Sequence, residues 1–407
     1  MSRAVDGQVA PQKRWELLEA LRQLRTTSRS ALARETHTSR GMVSLIVDEF
    51  LREGLVREEG RGNSTGGRPP RLVSFCPDAV LAAGAALSDA HWALVLVNLD
   101  AQVVRRIESP LSGPTPGDAV EALETGYRAI SRALGAARLL PAVGLGTPGL
   151  VDIRSGEIVT AADRGWANVP MASMVAEKLG LPSVIMANRS RVGALAEVWQ
   201  GAGRGLEDLI YVWVGSGIAA GIVHKGRLYV GANSSAGELG HVTVRPDGPL
   251  CGCGNRGCLQ QLASGPAIAD AARRRLRETP ASLIAEMVSD HPERITAQTV
   301  FAAAEGGDAT AQELLAQAGS YLGLAIGNLV NLFNPQMVVL GGPVGSSSDL
   351  LLHAVQAEVR RRAMTYPLSA AAIRRSELGA EASAIGAGVL VLQRTLGLLR
   401  ESAQEGA

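Results

Sequence analysis

Residues 237–258 read GELGHVTVRPDGPLCGCGNRGC. Cys251, Cys253 and Cys258 fall within eight residues, and His241 stands ten residues ahead of the first of them. Thiolates are favoured ligands of tetrahedral zinc. Three thiolates and one imidazole fill all four positions, so this set predicts a structural zinc site with no open coordination position. The Cys-x-Cys spacing is too tight for a relaxed disulfide between its own members. Glycines at 252, 254 and 257 let the backbone wrap closely around an ion. Unligated buried cysteines are the simpler alternative. Cys76, the fourth cysteine, stands alone.

Around this stretch, short β runs alternate with helical patterns from about Val80 onward. Leu81–Leu87, Ala93–Leu99 and Val103–Ile107 read as consecutive strands, followed by a helix near Asp118–Leu134. Ala142–Gly146 and Val184–Met186 read as further strands ahead of a helix from Ser190 to Trp199. Leu209–Val214, Ile218–His224 and Arg227–Val230 open a second group of strands. Helices are predicted over Ala309–Phe333 and Ala382–Leu398, with a strand at Met337–Leu340 between them. Two α/β lobes that both open strand-strand-strand resemble the duplicated ribonuclease-H-like fold of sugar kinases, hexokinases and actin. In that fold the cleft between the lobes is the expected ligand site.

Residues 11–75 have a different texture. Trp15, Leu18, Leu21 and Leu24 are spaced for one face of a first helix. Ser28 or Ser30 suits the cap of a short second helix around Ala31–Thr36. Thr38-Ser39 starts a third, in which Val43, Ile46, Val47, Phe50 and Leu51 recur at helical spacing until Gly54 stops it. Leu55-Val56-Arg57 and Arg71–Phe75 then read as two strands joined by the loop GRGNSTGG. This order predicts a winged helix-turn-helix that binds double-stranded DNA. Ser39, Arg40 and Ser44 lie near the start of the recognition helix, off its apolar face. Arg61, Arg68 and Arg71 sit on the wing, placed to reach a minor groove. A small helical protein-docking module is the alternative.

Charge agrees with that division. Residues 1–75 hold 13 Lys and Arg against 9 Asp and Glu, which leaves the remainder near −3 within a total of +1. A modestly basic head on a mildly acidic body suits a partner for the head, with chance variation as the alternative. No apolar run reaches the roughly 18 residues needed to cross a bilayer, and no signal-peptide core is present. The expected location is the cytoplasm, where thiols stay reduced.

Together these motifs resemble the ROK family of repressors and sugar kinases from about residue 11 to 398. The resemblance rests on Gly67-Arg68-Pro69, Gly146-Thr147-Pro148-Gly149 ahead of Val151-Asp152, Gly237–His241, the three cysteines, and Gly341-Gly342. It implies a winged helix-turn-helix at 11–75, a first ROK lobe at 78–190 and a second, zinc-bearing lobe at 191–380. The helix at 382–398 would return to the first lobe. ROK kinases carry an Asp-x-Gly-Gly-Thr phosphate turn and an Asn-Asp pair whose Asp is the base. The corresponding residues here are Ala86-Leu87-Ser88-Asp89-Ala90 and Asn188-Arg189. Losing a general base costs roughly 10²–10⁴-fold, and guanidinium accepts no proton. The second phosphate loop survives in part as Gly215-Ser216-Gly217-Ile218-Ala219.

The same resemblance implies sugar contacts at Asn188, Glu238 and His241, with Gln260 where the family carries Glu. His241 would ligate zinc with one ring nitrogen and face the sugar with the other. Arg189 and Gln260 both shift the pocket toward positive charge, which favours a sugar phosphate over a neutral sugar. The alternative is that Arg189 closes a vestigial pocket by pairing with Glu238 or Glu197. The implied protein is a homodimeric or homotetrameric repressor of carbohydrate genes, without enzymatic activity. Two other readings stay open: a sugar-independent regulator controlled by a protein partner, and an active ATP-dependent sugar kinase.

Overall fold

The computed structural model describes residues 11–61, 69–132, 138–278, 281–289 and 291–397. Arg68, most of the loop joining the last two head strands, and the side chain of Arg61 lie outside the described residues.

The chain begins with α1 (Pro11–Leu24), β1 (Thr26–Ser28), α2 (Arg29–Glu35), α3 (Arg40–Glu53), β2 (Val56–Arg61) and β3 (Arg71–Phe75). Both helix starts follow from capping chemistry. Ser28 Oγ accepts from Ala31 N at 3.1 Å, and Ser39 Oγ accepts from Met42 N at 3.3 Å. Gly54 ends α3 at φ +77°, a left-handed conformation open to glycine at little cost. Val43, Ile46, Val47 and Phe50 of α3 are buried against Leu17, Leu18, Leu21 and Leu32. Leu24 departs from the expected face of α1: it is 42% exposed, because the helix ends there and the chain turns into β1. Leu17 takes its place in the core. The three strands form an antiparallel sheet in the order β1–β3–β2.

Two five-stranded sheets follow. The first comprises β4 (Val80–Leu87), β5 (His91–Val97), β6 (Val103–Pro110), β7 (Arg138–Thr147) and β11 (Ser183–Asn188), in the order β11–β7–β4–β5–β6. A side sheet of β8 (Leu150–Asp152), β9 (Glu157–Ala161) and β10 (Trp166–Val169) is inserted between β7 and β11. The second large sheet comprises β12 (Leu209–Val214), β13 (Ile218–His224), β14 (Arg227–Tyr229), β15 (Met337–Gly341) and β16 (Ala372–Arg375), in the order β14–β13–β12–β15–β16. In both, three consecutive strands pair antiparallel and two later strands join parallel beside the first. The repeated topology is that of a duplicated sugar-kinase-like fold. Its central strands read as continuous apolar runs because helices cover both faces.

Two helices lie between the sheets: the helix Arg189–Trp199, which follows β11 directly, and the carboxy-terminal helix Ala382–Thr395. The latter packs on β4 and β7, and the former on β12 and β13. Glycine makes these approaches possible. A Cβ at Gly144 would overlap the Ala387 carbonyl, and one at Gly386 would overlap that of Val192.

The helix Arg189–Trp199 also meets the amino-terminal head. The Trp199 and Trp15 rings stand 4.7 Å apart between centroids. Arg22 lies over Trp199 and donates to its carbonyl at 3.0 Å. Trp199 Nε1 donates to Leu99 O at 3.1 Å, and Arg25 pairs with Asp100 at 2.6 Å. The hydrophobic cluster therefore runs without a break from α1 into the body.

Glu197, on the same helix, is fully buried. Its carboxylate accepts from Ser376 Oγ and from Ala202 N. Burial raises its pKa, outweighing the hydrogen bonds that favour the charged form. The folded state thus favours the protonated acid. That contribution is complete below the unfolded carboxyl pKa and is lost as pH rises through the raised folded value. Glu197→Gln preserves an acceptor for Ala202 and offers a donor to Ser376. Thermal melts should show a higher Tm for this variant at pH 7, and the gain should shrink as pH falls toward 4.

Candidate ligand pocket and metal centre

Four short segments converge where β7, β11 and β12 end and β13 begins. Asn188 closes β11 and caps the following helix: its Oδ1 accepts from Ser190 N at 2.9 Å and Ser190 Oγ at 2.7 Å. Its Nδ2 donates to Gly149 O at 2.8 Å, which ties the cap to the Pro148-Gly149 turn after β7. Glu238 and His241 lie in the segment after β14, and Gln260 follows the third cysteine. Asn188, Arg189, Glu238, His241 and Gln260 all line one pocket of about 180 Å³. That is smaller than the ~300–1,000 Å³ typical of drug-sized sites, as suits a ligand of monosaccharide size. Thr160, Asp163 and Trp213 line it too. Sequence reading missed these three; Thr160 comes from β9 of the side sheet and Asp163 from the turn between β9 and β10.

The helix Arg189–Trp199 holds the far wall as well. Arg191, buried, donates through Nη2 to Ser234 O at 2.6 Å and Ala236 O at 2.9 Å, fastening the loop that carries Glu238. Burial raises the Glu238 pKa, while His241 and Arg191 oppose the shift. Arg191 thus holds Glu238 through the backbone of its loop, with no ion-pair contact between the two among the described residues. The expectation that Arg189 pairs with Glu238 or Glu197 is not met. Arg189 lies with Cζ 3.5 Å from the Trp213 ring centroid, and its Nη2 donates to Ser216 Oγ at 3.2 Å. Glu197 is engaged elsewhere, by Ser376 and Ala202.

A second cavity, of about 480 Å³, adjoins the first; Arg189, Trp213 and Ser216 line both. Ala86, Ser88, Asp89 and Gly342 face this larger space.

His241, Cys251, Cys253 and Cys258 offer four ligand atoms within 4.8 Å of one another, a cluster able to hold a metal ion. Cys253 and Cys258 Sγ stand 3.7 Å apart, and His241 Nδ1 lies 3.6 Å from Cys251 Sγ. A tetrahedral zinc site with bonds of 2.0–2.3 Å has ligand–ligand edges of about 3.5–3.8 Å, which these two separations match. All four cysteines are free of disulfides. The Gln260 and Gln261 amides stand 3.6 and 3.8 Å from Cys251 Sγ, suited to support a thiolate. The Cys258 thiol is pushed up to about 12, first by burial and then by the neighbouring Cys253 and Cys251. A divalent cation relieves that crowding of negative charge. His241 belongs to both cluster and pocket, and Gln260 lines the pocket while its amide faces Cys251.

In the amino-terminal head, Ser39 and Arg40 are exposed at the start of α3, whereas Ser44 is half-buried and its carbonyl accepts from Arg29. Arg71 is exposed and pairs with Glu58 at 2.9 Å.

The ROK family model matches residues 87–394. The chain belongs to the ROK family. It is 29% identical over 373 residues to the xylose repressor of Caldicellulosiruptor bescii, a match covering 91% of this chain and 92% of the repressor. Against the glucokinase of Halalkalibacterium halodurans, identity is 38% over 253 residues, covering 62% of this chain and 76% of the kinase. Its fold is that of a solved ROK transcriptional regulator, described as a homologue of Escherichia coli Mlc. That structure superposes with a TM-score of 0.81 at 24% identity, over 95% of this chain and 97% of the other. The repressor and regulator matches run nearly end to end, and the kinase match leaves over a third of this ROK chain uncovered. Among the described residues no helix is long and apolar enough to cross a membrane.

Proposed function

We infer that this ROK-family chain is a sugar-responsive, DNA-binding repressor whose kinase-like body is catalytically silent. The observation that carries the reading is the pairing of a retained, partly altered polar pocket with a replaced catalytic position. Asn188, Glu238, His241 and Gln260 still converge on one space, and the family's base position is Arg189, stacked on Trp213. The near full-length similarity to a protein named a xylose repressor supports the same conclusion.

In this reading residues 11–75 are a winged helix-turn-helix. α3 enters the major groove with Ser39, Arg40 and Ser44, and Arg61, Arg68 and Arg71 of the wing contact the flanking backbone or minor groove. Arg71 must then exchange Glu58 for phosphate. Residues 78–190 and 191–380 form the two lobes, with the carboxy-terminal helix returning to the first. A structural zinc on His241, Cys251, Cys253 and Cys258 fixes one wall of the sugar pocket, His241 presenting its second nitrogen to the ligand. Two copies, alone or as a pair of dimers, read a two-fold operator in the cytoplasm.

The route from pocket to DNA is a single helix. Arg189 and the cap Asn188 face the ligand at its start, and Trp199 at its end carries Trp15 and Arg22 of the head. A helix of 11 residues is about 16 Å of rigid rod. Ligand contacts that tilt its amino end move the surface on which the head rests.

Genome-wide mapping of bound DNA tests the reading, with an ATP-coupled assay across a sugar panel beside it. The full chain should occupy a few palindromic sites next to carbohydrate genes, Arg40→Ala should lose most of that occupancy, and no sugar should be phosphorylated. Turnover with ATP, or occupancy unaffected by Arg40→Ala, contradicts it.

A further inference from the structure

Arg189 narrows the class of effector; the argument rests on the sugar-responsive reading above. The side chain is 7% exposed, yet among the described residues its guanidinium makes one hydrogen bond, to the neutral Ser216 hydroxyl, beside its contact with the Trp213 face. Five N–H donors in a fixed fork are thus mostly unspent. The acidic groups that act on it are Asp163 and Asp89, both exposed at the rim and neither in ion-pair contact. Burial holds its pKa down to about 10, so it stays charged at neutral pH. A buried cation with so little compensation is a poor stabiliser of a fold and a good receptor for an anion. Its place is also specific. It forms the wall common to the 180 Å³ pocket and the 480 Å³ cavity. A group borne on a sugar held by Asn188, Glu238, His241 and Gln260 would meet it there.

We propose that the effector is a phosphorylated monosaccharide, its ring in the small pocket and its phosphate on the Arg189 guanidinium at the mouth of the larger cavity. The planar fork of arginine matches two phosphate oxygens. Ser216, already bonded to Arg189 and 3.4 Å from Asp89, supplies a further donor when its hydroxyl turns from the carboxylate.

Two titrations of the full-length protein decide the matter. Trp213 lies against Arg189, so inorganic phosphate, added at constant ionic strength against chloride, should change tryptophan emission saturably. The change should vanish in Arg189→Gln and in Trp213→Phe. In calorimetry, glucose, mannose, fructose and N-acetylglucosamine are each paired with the 6-phosphate. Any pair that binds should favour the phosphate by about ten- to a hundred-fold, the range of a hydrogen bond to a charged group. That preference should fall to near unity in Arg189→Gln. Without ligand, Arg189→Met should melt at a higher temperature than the native protein, whereas a purely structural arginine would lower it. A neutral sugar binding as tightly as its phosphate overturns the proposal, as does a phosphate titration unaltered by Arg189→Gln. If phosphate reports through Arg189 while no sugar binds in either form, the anion site stands and the sugar-responsive reading falls.

Discussion

Cys253→Ser should strip the protein of metal and lower its Tm by several degrees. Cys253 is the exposed member of the four-residue cluster, so exchanging sulfur for oxygen there disturbs little packing. The loss can be assigned to the ion. A ligand bound only to the folded state and present at a thousand times its Kd contributes about 4 kcal/mol, equivalent to several degrees in a domain of this size. The cluster joins the segments 237–241 and 251–260, which carry Glu238, His241 and Gln260 into the pocket. Chelation should therefore abolish sugar binding along with the metal. The effect has a definite pH sign. Without a cation the Cys258 thiol holds its proton up to about 12. Binding the ion expels that proton, so metal retention should weaken as pH falls. Metal analysis and melting of the variant give the check; unchanged metal content and Tm would contradict the ligand assignment.

Trp199→Ala should produce the second large effect, a loss of about 3–5 kcal/mol together with loss of sugar response. The ring is 4% exposed, packs at a tilt against Trp15, carries the Arg22 guanidinium and donates to Leu99 O. Removing it leaves a cavity at the junction of head and body and frees Arg22 from its aromatic face. Trp199 shares one continuous hydrophobic cluster with Leu17, Leu21, Val43, Ile46 and Phe50, but those five residues come from the head and pack on one another. Operator binding should survive where ligand control does not. Trp199→Phe keeps most of the apolar contact and should retain both stability and response in large part. Denaturant unfolding and operator titrations with and without ligand separate the two losses; an alanine variant with normal ligand control would exclude this route.

Local features were legible in the sequence. Ser28 and Ser39 cap helices because a short hydroxyl side chain reaches the free amides of the first turn, and Gly54 stops α3 because glycine tolerates positive φ. The Cys-His set was legible because its spacing is itself chemical. Convergence of Asn188, Arg189, Glu238, His241 and Gln260 on one pocket was expected from family motifs. What spacing leaves out is pairing across the fold. Nothing near Arg189 in the chain points to Trp213, 24 positions on, as its partner, and the Glu238 and Glu197 pairings proved wrong for that reason. Arg191 reaching to the loop before Glu238, and Trp15 meeting Trp199, also depend on how the sheets and helices stack. Leu24 shows the limit at an element's end, where helical periodicity continues for a residue whose helix has finished.

The most direct test of the account is fluorescence anisotropy of the full-length protein on its mapped operator, with a panel of sugars and sugar phosphates. The account predicts tight, salt-dependent binding, a ligand-induced shift in affinity of about 5–150-fold, and loss of that shift in Glu238→Ala with operator affinity retained. Operator binding that no sugar or sugar phosphate alters, or that Glu238→Ala leaves fully responsive, would contradict it.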